Sequence, residues 1–200
     1  MQQGSGKLSL QKQAGLLWTW WRGDTLPLLP PLPGLAVEKT GDIALLASMM
    51  EISPADARAI VRKGDPPYLA RLDAQPVAYG WSASGDAAFG GGLVKFRLPH
   101  ANRYLYDFVT LPRWRGLGIY PRLLQAIVER ESAENERFWI VHQQENVASA
   151  RGIAKAGFRI ASEVFFLTNG ALGLATPPGE AGRAHTGAEL LRLPLVRGDG

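Results

Sequence analysis

Apolar positions along this chain change period several times, and each change marks an element. The sharpest case is residues 103–111, where Tyr104, Leu105, Tyr106, Phe108, Val109 and Thr110 make a nearly unbroken run of strand formers. A run that does not alternate predicts a central strand covered on both faces. Beyond Arg115-Gly116-Leu117-Gly118 the period becomes helical. Tyr120, Leu123, Leu124, Ile127 and Val128 recur at i, i+3, i+4, i+7 and i+8, with Arg122, Glu129 and Arg130 off the stripe. Residues 137–142 return to a strand pattern. Asn146 is a predicted N-cap for a helix to Lys155, with Val147, Ala150, Ile153 and Ala154 facing inward. Gly157 supplies a left-handed C-cap, residues 158–168 read as a strand, and Asn169-Gly170 reads as a tight turn.

Upstream the pattern is weaker but legible. Residues 35–39 read as a short strand and residues 42–50 as a helix. Ser53-Pro54 starts a second helix that leads to Arg62 and breaks at Pro66-Pro67. Residues 68–72 and 77–82 read as strands joined by the turn Asp73-Ala74-Gln75-Pro76. Residues 85–92 form a loose glycine-rich connection, and residues 93–98 a further strand. The predicted fold is a mixed α/β sheet with helices on both faces.

The two ends look different from this middle. Residues 1–33 read as a Trp- and Pro-rich extension, with Trp18, Trp20 and Trp21 either docked on the domain or forming a partner-binding patch. Residues 34–168 form the predicted domain. Residues 169–200 are rich in Gly, Ala and Pro and hold either a last edge strand near residues 189–196 or a flexible tail.

Composition narrows the chemistry. There is no cysteine among the 200 residues, which excludes thiolate catalysis and cysteine-based zinc sites. His100, His142 and His185 lack metal-ligand spacing, so no metal is expected. The formal net charge of +4 is spread without a long basic run. That suits attraction of an anionic ligand better than nucleic-acid binding. No stretch reaches transmembrane length and none reads as a leader, so no membrane partner and a cytoplasmic location are expected.

The candidate chemistry sits at Arg113-Trp114-Arg115-Gly116-Leu117-Gly118-Ile119-Tyr120, between the buried strand and the amphipathic helix. Two glycines leave backbone N–H groups unshielded, and the helix beyond adds its positive end, which together predict an anion cradle over residues 115–120. Pro121 has no N–H and cannot contribute. The third glycine of a dinucleotide fingerprint is missing, and so is the Gly-Lys-Ser/Thr of a Walker loop.

The loop and the Asn146…Ser149…Lys155-Ala156-Gly157-Phe158 run, taken together, resemble the GNAT superfamily of acyl-CoA-dependent N-acyltransferases. The first matches its Gln/Arg-x-x-Gly-x-Gly/Ala loop and the second its following helix. The resemblance spans about residues 35–168 and is sharp from 103 to 158. It implies a mostly antiparallel central sheet, acetyl-CoA as cosubstrate, and a small-molecule or peptide amine as acceptor. A homodimer is a further expectation. Phe108, Val109 and Thr110 are implied to run beside the pantetheine arm. Arg115, Gly116, Leu117, Gly118, Ile119 and Tyr120 would hold the pyrophosphate, and Asn146 and Ser149 would lie near the thioester. A bulge near Val109 is implied as the source of an oxyanion donor. Ile153 stands where the family often has a tyrosine acid, and Tyr120 or a water is a candidate substitute. Asp107, inside an apolar strand, and His142, at the end of the next strand, are the candidate bases; each also reads as a structural residue. Glu51 falls where the family builds its acceptor wall. A non-catalytic acyl-CoA sensor is the competing function.

Overall fold

The computed structural model describes residues 9–61 and 67–196, and its first element is the largest departure from the sequence pattern. Leu10–Trp21 is a 12-residue strand, β1, where an extension is expected. It lies inside the main sheet, with antiparallel neighbours on both sides. Trp18 and Trp20 are buried on one face and Leu17 on the other. The Leu-Leu-Trp-Thr-Trp-Trp run is therefore a central strand, as continuous apolar runs tend to be.

The middle of the chain follows expectation: β2 (Leu35–Lys39), α1 (Ile43–Met50), α2 (Pro54–Val61), β3 (Tyr68–Leu72) and β4 (Gln75–Ala83). Asp42 caps α1 by accepting from the Leu45 N–H at 3.0 Å, and Ser53 Oγ accepts from the Asp56 N–H at 3.1 Å at the start of α2. Arg62 and Pro66, where that helix is expected to end and break, lie outside the described residues. Residues 85–92 are more ordered than their glycines suggest. They contribute β5 (Asp86–Phe89), which pairs with β6 (Val94–Arg97) as a separate two-stranded sheet. Gly90, Gly91 and Gly92 make the turn between them, all at positive φ.

Then come β7 (Asn102–Thr110), a 3-10 turn at Pro112–Trp114, α3 (Ile119–Glu131), β8 (Arg137–Gln143), α4 (Val147–Lys155) and β9 (Arg159–Leu167). The last segment holds an edge strand, β10 (Leu172–Ala175), and a helix, α5 (Ala181–Leu191). The edge strand comes earlier than residues 189–196, which instead hold the end of α5 and an isolated bridge from Leu195 to Leu174. Helix α5 was hidden by its small residues. Gly187 presses so closely on Leu17 that an added Cβ would lie 2.7 Å from Leu17 Cδ2. Arg183 holds Asp24 through two hydrogen bonds, at 2.6 and 2.9 Å, and stacks on Trp21.

The main sheet has the order β10-β9-β1-β8-β7-β4-β3-β2. Every pairing in it is antiparallel except β7 with β8. Side chains alternate across it. One face buries Trp18, Phe138 and Ile140 against Ile119, Leu123, Ile127 and Ile153 of α3 and α4. The other buries Leu17 and Trp139 under β6 and α5, and Leu69, Tyr79 and Trp81 under α1. Helices thus cover both faces, as predicted.

A buried carboxylate anchors α3. Glu131 accepts from Tyr68 Oη at 2.7 Å, Ser82 Oγ at 2.8 Å and Arg103 Nε at 2.9 Å, and pairs with Lys39 Nζ at 2.8 Å. Burial alone would push its carboxyl up, but these partners outweigh burial and hold it below the ordinary value. The C-terminal end of α3 is therefore fixed to β3, β4 and β7, which sets where its N-terminal end points.

Candidate active site

Strands β7 and β8 pair only from Asn102↔Arg137 to Leu105↔Ile140. Beyond that, β8 continues with β1 as far as Gln143, and β7 continues with β4 as far as Thr110. The sheet therefore opens like a V, and the β8-facing backbone of residues 106–110 leaves the ladder. Within that stretch Tyr79↔Val109 and Trp81↔Tyr106 enclose one residue on β4 and two on β7. This is a β-bulge, a little upstream of the expected position, with Asp107 at φ 50°. Phe108 folds its ring over Gly80, where an added Cβ would lie 2.2 Å from the ring.

On the α3–α4 face the V holds a cleft of about 580 Å³. Phe108, Val109 and Thr110 line it along β7, and Arg115, Gly116, Gly118, Ile119 and Tyr120 line it at the glycine loop. Gly116 and Gly118 are left-handed, at φ 83° and 70°, and no side chain caps the N-terminus of α3. The space beside Gly116 is open: an added Cβ would meet nothing within 4 Å. Arg115, Arg151 and Lys155 line the cleft and, among the described residues, no carboxylate does. This donor set and charge fit a pyrophosphate. Leu117 faces outward, 46% exposed, and is not part of the lining.

The loop is also braced from behind. Arg122 donates to the Gly118 carbonyl at 2.6 Å and to the Pro30 carbonyl, while Gln125 donates to the Pro27 carbonyl at 2.8 Å. The proline-rich segment after β1 thus runs along α3. Arg122→Ala should weaken binding of an anionic ligand by roughly tenfold through loss of these braces; titration calorimetry checks it.

At the other end, Asn146 caps α4 by accepting from the Ser149 N–H at 3.0 Å. Tyr120 reaches across to α4, its hydroxyl 3.3 Å from Ser149 Oγ. Its ring sits over Gly152, whose added Cβ would fall 2.3 Å from Tyr120 Cδ1. Burial pushes the Tyr120 phenol up to about 12, with Ser149 pulling slightly the other way. The hydroxyl therefore stays protonated at neutral pH and can donate. Ile153, by contrast, is fully buried in the core. Gly152→Ala should displace the Tyr120 ring and lower stability by about 1–3 kcal/mol, read as a drop in the thermal midpoint.

A second cleft, of about 530 Å³, lies on the opposite face beneath the β5–β6 hairpin. Asp107, Tyr104, Tyr106 and Gln143 contribute to it, and among the described residues no cationic side chain does. Desolvation against the apolar strand pushes the Asp107 carboxyl up, although its side chain still reaches water. Tyr79 is pushed up by burial and then by the charges of Asp107 and Glu51, so both carboxylates lie around that phenol.

The two candidate bases do not converge. His142 shares the face of Phe138 and Ile140, is buried, and lies with its ring 6.0 Å from that of Trp18. Its Nδ1 meets the Gln143 carbonyl at 2.7 Å. One step along the strand reverses the face, so Val141 and Gln143 line the second cleft and His142 does not. It is not in the lining of the first cleft either, and its buried Nε2 has no hydrogen-bond partner among the described residues. Sequence reasoning also passed over Trp114, Arg151, Gly152 and Lys155 in the first cleft. The i, i+4 spacing of Arg151 and Lys155 on α4 was the available signal.

Among described residues no helix is long and apolar enough to cross a membrane, and no cluster of potential metal ligands is found. Among curated proteins no sequence matches the chain. Solved structures share the fold. A GNAT-family protein from Novosphingobium aromaticivorans is 16% identical, with TM-score 0.50, covering 78% of this chain and 63% of its own. A GNAT-family acetyltransferase from Colwellia psychrerythraea is 15% identical, with TM-score 0.53, covering 80% and 56%. The chain thus spans less than two thirds of the length of either. The model of the acetyltransferase (GNAT) family matches residues 45–158, a stretch that contains both the glycine loop and the Asn146 helix. The chain belongs to that family.

Proposed function

We propose that this protein transfers an acetyl group from acetyl-CoA to a primary amine at the opening between β7 and β8. The observation that carries this reading is a pair of clefts of opposite charge. The cationic one and the acidic one lie on opposite faces of the sheet and abut at Asp107 and Phe108. An anionic acyl donor and a cationic acceptor would be drawn to one point from two sides. In this reading Gly116 to Tyr120 hold the pyrophosphate. The pantetheine arm follows the free edge of Phe108, Val109 and Thr110, and the thioester reaches the bulge.

The amine nitrogen attacks the thioester carbon, and the C–S bond breaks as the C–N bond forms. Backbone N–H groups released by the bulge face the developing oxyanion. Asp107 takes the proton from the amine, and Tyr120, held by Ser149 and Gly152, gives one to the departing thiolate. Such a thiolate leaves tolerably on its own, at a thiol pKa of about 8.5. Tyr120→Phe should therefore lower kcat by only about 10- to 100-fold, with the affinity for acetyl-CoA kept.

The test is calorimetry with CoA and acetyl-CoA, with ATP as competitor, followed by thiol release in the presence of amines. Binding of both, no displacement by ATP and amine-dependent thiol release support the reading. Binding without turnover on any amine favours a sensor, and no binding removes the proposal.

A further inference from the structure

The acidic cleft has a lining that says more about its occupant than its charge does. Beside the small Ala and Gly residues of the hairpin, its lining holds the rings of Phe89, Tyr104 and Tyr106, which belong to a larger packed aromatic cluster. Phe96 meets Tyr104 edge-on at 5.2 Å, and Tyr104 lies parallel to Tyr106 at 6.0 Å, within 7°. Phe89 is 6.3 Å from Phe96 across the hairpin, and Trp81 is 6.1 Å from Tyr106. These separations are those of packed aromatic pairs. They make one wall from the β5–β6 hairpin to β7, and Phe89, Tyr104 and Tyr106 expose part of it to the cleft.

Charge is placed at both ends of this wall. Asp86, on the outer rim, is paired with Arg97 at 3.2 Å. Asp107, at the inner end beside the bulge, has no ion-pair partner among the described residues. A ligand is thus met by an aromatic wall and one free carboxylate, with no cation among the described lining residues to receive a carboxylate of its own. The volume of about 530 Å³ is of the size that holds a small molecule. The hairpin above it pairs only with itself and rests on the wall through Phe96 and Val94.

Resting on the acetyl-transfer reading, we propose that the acceptor is a small primary amine carried on an aromatic body and bearing no carboxylate, seated between Phe89 and Tyr106 with its nitrogen at Asp107. Ring–ring contact and attraction of the ammonium to ring faces favour such a ligand. An amino acid with the same ring brings its carboxylate beside Asp107 and is repelled.

Four probes separate these terms: 2-phenylethylamine, L-phenylalanine, L-phenylalaninamide and n-butylamine, each followed by thiol release from acetyl-CoA. The expected kcat/KM for 2-phenylethylamine exceeds that for L-phenylalanine by about 10- to 100-fold. L-Phenylalaninamide should recover most of the loss, and n-butylamine should fall about tenfold or more below the aryl amine for want of the ring. Phe89→Ala should raise KM for 2-phenylethylamine more than for n-butylamine and leave kcat in place. Equal or better turnover of L-phenylalanine, or equal turnover of n-butylamine, overturns the proposal. So does failure of all four while acetyl-CoA binds. Absence of acetyl-CoA binding instead removes the reading on which it rests.

Discussion

Replacing Gly118 by aspartate should abolish acetyl-CoA binding at cosubstrate concentrations that saturate the parent protein. Gly118 begins α3 in the left-handed region, at φ 70°, and lines the cationic cleft. A carboxylate there would face the bound phosphates, and like charges on the order of 5 Å apart repel. At an effective dielectric of about 20 that repulsion is roughly 3 kcal/mol per phosphate charge, on the order of 100-fold in Kd. Backbone strain and crowding also act, since an added Cβ meets Arg122 Nη1 at 2.5 Å. Gly118→Asn separates the two contributions. Asparagine tolerates the left-handed conformation almost as well and crowds Arg122 equally, but it carries no charge. Calorimetric Kd values should therefore rise in the order parent, Asn, Asp, with the larger gap between Asn and Asp. If the aspartate variant binds within about twofold of the parent, the loop does not hold the pyrophosphate.

That loop was the most legible part of the chain. Its glycines, the preceding apolar strand and the following 3.6-residue stripe all demand the same local geometry, so sequence and structure agree there. Asn146 and Gly157 were legible for the same reason, since each cap is set by a neighbouring backbone group. Gly157 has a second role that sequence does not display. Its missing side chain admits Pro27, whose Cδ would lie 2.6 Å from an added Cβ. Close approach between segments so distant in sequence leaves no trace in a local pattern.

The misreadings have physical causes too. The polar start of β1 and the prolines after it gave Leu10–Trp21 the look of an extension, although its Trp run has the density of a buried strand. Helix α5 is built on glycine and alanine because it lies close against β1, and small residues weaken the periodic signal. The Ile153 position read as a missing acid. In the structure Ile153 is core, and the tyrosine that faces Ser149 comes from α3. Accordingly Ile153→Tyr should not repair a deficit; overpacking at a fully buried position should cost about 1–3 kcal/mol. His142 and Asp107 were both candidate bases, each a polar residue in an apolar strand that also reads as structural. What separates them is the bulge, which a sequence does not announce.

Asp107→Asn should give a protein that is more stable at neutral pH and far less active. Desolvation raises the folded-state pKa of Asp107 above its unfolded value of about 3.9. Between those two values the folded state holds the proton more tightly, so stability falls as pH rises through the window and stays lower above it. Asparagine removes that penalty and suits φ 50°. The variant should melt above the parent at pH 7, and the difference should vanish as the pH drops below about 3.9, where both side chains are neutral. Activity should move the other way. In the parent, kcat/KM should climb as Asp107 ionises, with an acid limb shifted upward from the ordinary carboxylate range. In the variant that limb should disappear and turnover should fall by about 10²- to 10⁴-fold, the span of a positioned base. Melting curves and rate profiles over the same pH range test both halves. A variant that loses activity but keeps the acid limb would show that another group accepts the proton. One that loses stability at pH 7 would show that the carboxylate holds the bulge in place.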